Sequence, residues 1–230
     1  MLEIKNIPPR QMYVMFDMVF NHQNIYYFEN TVSYPEILVD LIEKIDLNPL
    51  SHEAISKWGD WTASDDKSFI IGSGKHIDSS KKNINTGDDF LNKQILYVIN
   101  SLMMSPEMTA NRFYDTQIIY HKKMKSNYVP EKPNINLQYI NLYKYNEGQG
   151  MGPHCDAEDP TGTGTNLKYS MVTYLNDDYE GGEIYFKNQD VKIKPKAGSL
   201  VLFPSTAPYL HESLPVTKGS KIMYTTHWLK

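Results

Sequence analysis

The stretch "GGEIYFKNQDVKIKPKAGSLVLFPS" (181–205) decides the fold. It holds three short apolar or aromatic runs, EIYF, VKI and SLVLF, each bounded by Gly, Pro, Asn or Asp. β-Branched and aromatic residues between turn formers are strand signals. The gaps between the runs are too short for a helical crossover, so antiparallel pairing is expected. The same texture extends outward to "INLQYINLYKY" (135–145), "LKYSMVTYLN" (167–176) and "GSKIMYTTHWLK" (219–230). With the segments around His154 and His211, the tally is about eight strands, which points to a double-sheet jelly roll or barrel.

Before Asn134 the texture is mixed or helical. "SYPEILVDLIEKID" (33–46) offers Ser33 as N-cap, Pro35 in the first turn and Glu36 three residues after the cap. Ile37, Leu38, Leu41, Ile42 and Ile45 then recur at amphipathic helical spacing. A second helical pattern within 87–114 runs from Phe90 through Leu91, Ile95 and Val98 to Leu102, with a break expected near Pro106. Between the two lies a polar stretch, 64–89, read as a connector or as a mobile lid over a pocket, the lid covering 72–89. Trp58 and Trp61 are expected to serve packing. No repeat or linker divides the chain. The expectation is one α+β domain, with residues 1–133 a helix-rich support and 134–230 a β core.

Composition sets bounds on function. Hydrophobic content of 40% and charged content of 22% over 230 residues are those of a globular protein with a sizeable core. The net charge of −4 disfavours a nucleic-acid partner. Cys155, the single cysteine, cannot form an internal disulfide, and a reducing, cytoplasmic compartment is the default expectation. No apolar run reaches the length of a membrane span, and no secretory leader pattern opens the sequence.

The chemistry gathers at "GQGMGPHCDAEDP" (148–160). In extended backbone, residues two apart share a face, so His154 and Asp156 can reach one ion while Cys155 faces away. His211, in "YLHESLP" (209–215), offers a third ligand from another strand. Two histidines and a carboxylate with open positions form the facial set used for non-haem Fe(II), with zinc a chemical alternative. Lys221 follows His211 by ten residues and is expected on a core strand, an unusual place for an unpaired lysine. His227 and His121, which have no lysine at that spacing, are read as structural. Some of the seventeen tyrosines are candidates to line a peptide groove, but more of them are expected at half-buried strand positions.

With H-x-D, a distant His and a Lys ten residues on, the chain resembles the prolyl 4-hydroxylase-like branch of the Fe(II)/2-oxoglutarate-dependent dioxygenases. "YNEGQGMGPHCD", "YLNDDYEGGEIYF" and "KAGSLVLFPS" resemble that family's core strands, and Trp228 falls near its terminal tryptophan. The resemblance covers roughly 134–230. It implies a double-stranded β-helix core and His154, Asp156 and His211 as metal ligands. It further implies Lys221 and Tyr145 at the co-substrate, and Fe(II), 2-oxoglutarate and dioxygen as cofactors, with ascorbate an additional candidate. The activity implied is hydroxylation of a peptide or protein side chain, proline first, with release of succinate and CO2. Oligomeric state is left open. Met151 stands where the family often has tyrosine, Leu167 and Lys168 where it uses an arginine near the peptide, and the 158–166 loop is this chain's own. These departures bear on the substrate. The rival readings are a hydroxylase of a small metabolite or free amino acid, a nucleic-acid demethylase, and a non-catalytic metal-binding module.

Overall fold

The computed structural model describes residues 17–47, 54–62, 70–79, 84–158 and 166–230. The C-terminal half is the expected run of short antiparallel strands. β5 (Ile135–Asn146), β7 (Leu167–Tyr174), β11 (Leu200–Pro204) and β14 (Ser220–Leu229) pair side by side in the order β11-β7-β14-β5. β6 (Gly150–His154), β12 (His211–Ser213), β9 (Ile184–Phe186) and β10 (Val191–Ile193) pair in that order. A small separate ribbon joins β8 (Glu180–Gly181) to β13 (Val216–Lys218).

The first half contributes strands as well as helices. β1 (Asp17–His22) and β2 (Ile25–Glu29) extend the sheet beyond β11, and β3 (Gly59–Thr62) pairs with β4 (Ile70–Asp78). β4 links the two groups of core strands, since residues 73–78 pair with β5 while Ile70 and Ile71 pair with β6. The expected polar loop or lid is therefore corrected over 72–78, which is a rung of the sheet. Gly72 and Gly74 had interrupted the apolar alternation, and Lys75 is a buried lysine whose ammonium donates to the Ile42 carbonyl at 2.9 Å. Residues 80–83 lie outside the described residues.

Both expected helices form. α1 (Pro35–Leu47) matches the amphipathic reading, and α2 runs unbroken from Asp89 to Lys123 with Pro106 inside it. The expected break at Pro106 is absent because α2 buries one face along its length, from Leu91 to Phe113, with Pro106 itself buried. Packing over that face outweighs the loss of one helical hydrogen bond. Asp88 caps the start, accepting from the Phe90 and Leu91 amides.

Two apolar layers result, divided by the strict alternation of β14. Ile222 and Tyr224 join Leu38, Ile42, Ile95 and Leu102 in the cluster beneath the helices. Met223 on the opposite face joins Tyr174, Phe186 and Phe203 between the strand layers. Trp58 packs at the helix-side cluster, with the Lys75 ammonium 5.1 Å from its ring centre. The Trp61 side chain and most of the 158–166 loop lie outside the described residues.

β6 and β12 come together unusually closely. A Cβ placed on Gly150 would lie 2.6 Å from the Ser213 carbonyl oxygen, which is backbone and cannot swing aside. Gly150→Ala is expected to lower the unfolding free energy by about 1–3 kcal/mol, the usual cost of overpacking. Urea denaturation monitored by tryptophan fluorescence checks this, and an unchanged midpoint would mean that the two strands separate freely.

Candidate metal centre

His154 ends β6 and His211 opens β12, and the two are direct partners in the antiparallel register. Asp156 lies two residues past the strand end, in a 3-10 turn (Asp156–Glu158) pinned by a hydrogen bond from the Ala157 amide to the Ser205 carbonyl at 3.0 Å. The same-face expectation for 154 and 156 is thus met by a turn rather than by continued strand. The ligand atoms of His154, Asp156 and His211 all lie within 4.8 Å of one another. Asp156 Oδ1 stands 3.3 Å from His154 Nε2 and 3.8 Å from His211 Nε2.

Backbone carbonyls set both tautomers. His154 Nδ1 donates to the Gly152 carbonyl at 2.9 Å and His211 Nδ1 to the Tyr209 carbonyl at 3.1 Å. A carbonyl can only accept, so the proton sits on Nδ1 and Nε2 is left to face the cluster. Phe186 and Phe203 wall His211 in, with ring centres at 5.7 and 4.6 Å.

The electrostatics follow from burial around one carboxylate. Burial alone would raise Asp156, but His211, His154 and His227 outweigh it and hold the carboxyl well below its usual range. Burial pushes His211 down to about 4 despite the attraction of Asp156, so this ring is neutral at pH 7. Burial also pulls His154 down, but the hydrogen bond and charge of Asp156 reverse the sign and leave it raised. An ionised carboxylate and two Nε2 atoms suit a divalent first-row cation, and the donor set fits Fe(II).

The cavity at this cluster is lined by Tyr143, Met151, Val172, Tyr174, Ile184, Ser213, Met223, Thr225 and His227 as well as the three ligand candidates. Lys221 and Tyr145 are not in its immediate lining. They face each other across β14 and β5, with the ammonium 4.9 Å from the tyrosine ring centre. Lys221 is 1% exposed, donates to the Gly182 carbonyl at 2.9 Å, and is hydrogen-bonded to the hydroxyl of Ser213, which does line the cavity. Among the described residues no carboxylate forms an ion pair with it. Burial, together with the Lys194 charge and against the pull of Glu183, lowers it to about 7. Tyr145 is fully buried and stacks on Tyr143, with its hydroxyl 3.9 Å from the Met151 sulfur.

Two histidines read as structural part company here. His121 sits in the last turn of α2 against Tyr128, away from the cluster. His227 lines the cavity, and its Nε2 is 3.9 Å from Asp156 Oδ2. Its place two, four and six residues along one strand face from Thr225, Met223 and Lys221 was a usable signal.

Residues 140–230 match the family model of the 2OG-Fe(II) oxygenase superfamily. A PKHD-type hydroxylase of Maricaulis maris is 31% identical over 88 residues, 37% of this chain and 39% of that protein. A probable prolyl 4-hydroxylase of Arabidopsis thaliana is 31% identical over 123 residues, 43% of this chain and 42% of that one. The chain thus spans about two fifths of the length of these curated relatives. The viral collagen prolyl hydroxylase of Paramecium Bursaria Chlorella virus-1, solved with 2-oxoglutarate, superposes with a TM-score of 0.52 at 17% identity, covering 91% of this chain and 98% of that one. A Trichoplax adhaerens prolyl hydroxylase, solved with a hypoxia inducible factor peptide fragment, gives 0.55 at 14% identity, covering 90% and 83%. The fold is the α+β double-stranded β-helix of these enzymes. Residues 140–230 are thus similar to 2OG-Fe(II) oxygenases, and the curated relatives matched are of PKHD and prolyl 4-hydroxylase type. The three clustered donors lie within the region that matches this family model.

Replacing His154 or His211 by Ala is expected to weaken divalent-metal binding by more than about a hundredfold, beyond what loss of an outer partner costs. Asp156→Glu should fail similarly, since one added methylene displaces the oxygen. Equilibrium dialysis of the variants against Mn(II) checks this. Wild-type metal content in either histidine variant would rule out the cluster.

Proposed function

We propose that this chain is an Fe(II)- and 2-oxoglutarate-dependent dioxygenase that hydroxylates a peptide or protein side chain, proline first, with release of succinate and CO2. Residues 134–230 form its catalytic core, residues 1–133 support it, and it works in a reducing, cytoplasmic setting. The observation that carries the reading is the pairing of the His154, Asp156 and His211 cluster with a buried, unneutralised Lys221 joined to the cavity through Ser213.

In this reading His154, Asp156 and His211 hold iron through Nε2, a carboxylate oxygen and Nε2. Held there with 2-oxoglutarate, iron would supply the activation of dioxygen that hydroxylation of a substrate C–H bond requires. Lys221 receives the far carboxylate of 2-oxoglutarate as a compact charge, and Tyr145 provides the hydroxyl beside it. Val172, Ile184, Met223 and Met151 exclude water from the reacting end. The peptide substrate is supported by the Trichoplax neighbour, which was solved with one. One observation favours a smaller substrate such as a free amino acid. Lys168 pairs with Glu131 and stands 5.7 Å from the Trp228 ring centre instead of lining the cavity.

Succinate release on a panel of proline-containing peptides and free amino acids tests the reaction. Peptide-dependent release supports the proposal, and release with free amino acids alone favours the second reading. Lys221→Ala should weaken 2-oxoglutarate binding to the iron-loaded protein by about two to three orders of magnitude. Breaking a buried pair costs roughly 3–5 kcal/mol, and about 1.4 kcal/mol is tenfold. Lys221→Arg should recover only part. Wild-type affinity in Lys221→Ala would remove the lysine from the co-substrate site.

A proton balance follows from the lowered lysine. Free Lys221 titrates at about 7, and an anion beside it favours the charged form. Above pH 7 the free lysine is largely neutral, so binding of 2-oxoglutarate takes up a proton. Below pH 7 it is already charged and uptake vanishes. Calorimetry at pH 8 in buffers of different ionisation enthalpy should show uptake approaching one proton. No uptake at pH 8 would mean that this ammonium does not meet the co-substrate.

A further inference from the structure

The iron-site reading leaves one oxygen of its carboxylate unassigned. Asp156 Oδ1 faces His154 and His211, while Oδ2 points the other way, toward His227 Nε2 at 3.9 Å. A metal-bound carboxylate is commonly hydrogen-bonded in turn, and a donor on its second oxygen favours coordination through one oxygen. We infer that His227 is that donor, a positioning residue that holds Asp156 in one-oxygen coordination. The inference rests on the proposed iron site.

Three features make His227 the candidate. It is not itself a fourth ligand, because among the described residues only His154, Asp156 and His211 bring their ligand atoms within 4.8 Å of one another. Two of its polar neighbours are already engaged. Ser170, its partner across β7, is hydrogen-bonded to Ser205 at 2.8 Å, and Thr225, on the same face of β14, bonds the Tyr143 hydroxyl. The backbone beneath it is fixed, since β14 is paired on both sides, to β5 and to β7. Closing the remaining gap to hydrogen-bond distance takes about 1 Å, within reach of a side-chain rotation. A neutral imidazole protonated on Nε2 and an imidazolium both supply the donor, so the role does not depend on its charge.

The test uses the whole chain, with Mn(II) affinity and the visible absorption of bound Co(II) as readouts. His227→Phe keeps a ring and removes the donor, while His227→Gln keeps an N–H at similar reach. Phe is expected to weaken Mn(II) binding 10- to 100-fold, roughly the cost of losing an outer-shell partner, and to alter the Co(II) bands as the carboxylate changes mode. Gln is expected to restore most of the affinity and the wild-type spectrum. A Phe variant with wild-type affinity and spectrum overturns the inference. A Gln variant as weak as Phe also overturns it, since bulk and not the donor would then matter. Loss of metal from the Phe variant as complete as in His211→Ala overturns it in favour of direct ligation. If the wild-type protein binds neither Mn(II) nor Co(II), the iron-site reading itself fails.

Discussion

The site depends on one strand pairing. β6 and β12 meet in the register that sets His154 opposite His211, and a slip of one residue would turn one imidazole out of the cluster. The backbone has almost no latitude there, because Gly150 approaches the Ser213 carbonyl too closely for any side chain. The same short strand thus carries a ligand candidate at its start and, two residues on, the hydroxyl that holds Lys221. Metal end and lysine end are fixed relative to each other by three residues of backbone.

The second constraint is the cost of Lys221. A lysine buried to 1% exposure among carbonyls and hydroxyls is expensive to keep charged, and its lowered protonation reflects that. A group in that condition gains most from an anion delivered to it. Such a gain is available to a ligand carrying a carboxylate and closed to a neutral one. The helix-side cluster beneath β14, with Ile222 and Tyr224 buried in it, provides burial that offsets this cost.

Features that reside in local pattern were legible in the sequence. The short strands, the amphipathic face of α1 and the convergence of His154, Asp156 and His211 follow from periodicity, turn residues and ligand types. The expected Ser33 cap does not, since Tyr34 directly precedes α1 and its carbonyl takes the Ile37 and Leu38 amides. Features set by pairing across the sheet were not. β4 was hidden because Gly72 and Gly74 erase its alternation, and it forms because β5 supplies the ladder. Pro106 stays inside α2 because burial over the whole helix decides the outcome. His227 looked like a spare histidine, since nothing local places it beside Asp156. Only the inward face shared by Lys221, Met223, Thr225 and His227 does so.

The central claim is that one divalent metal ion sits between β6 and β12. Anomalous diffraction at the iron edge, from crystals grown anaerobically with Fe(II) and 2-oxoglutarate, tests it most directly. A single strong peak is expected, bonded to His154 Nε2, His211 Nε2 and one oxygen of Asp156, with the 2-oxoglutarate far carboxylate at Lys221. A peak held by other residues, or an empty cluster in crystals containing iron elsewhere, would contradict it.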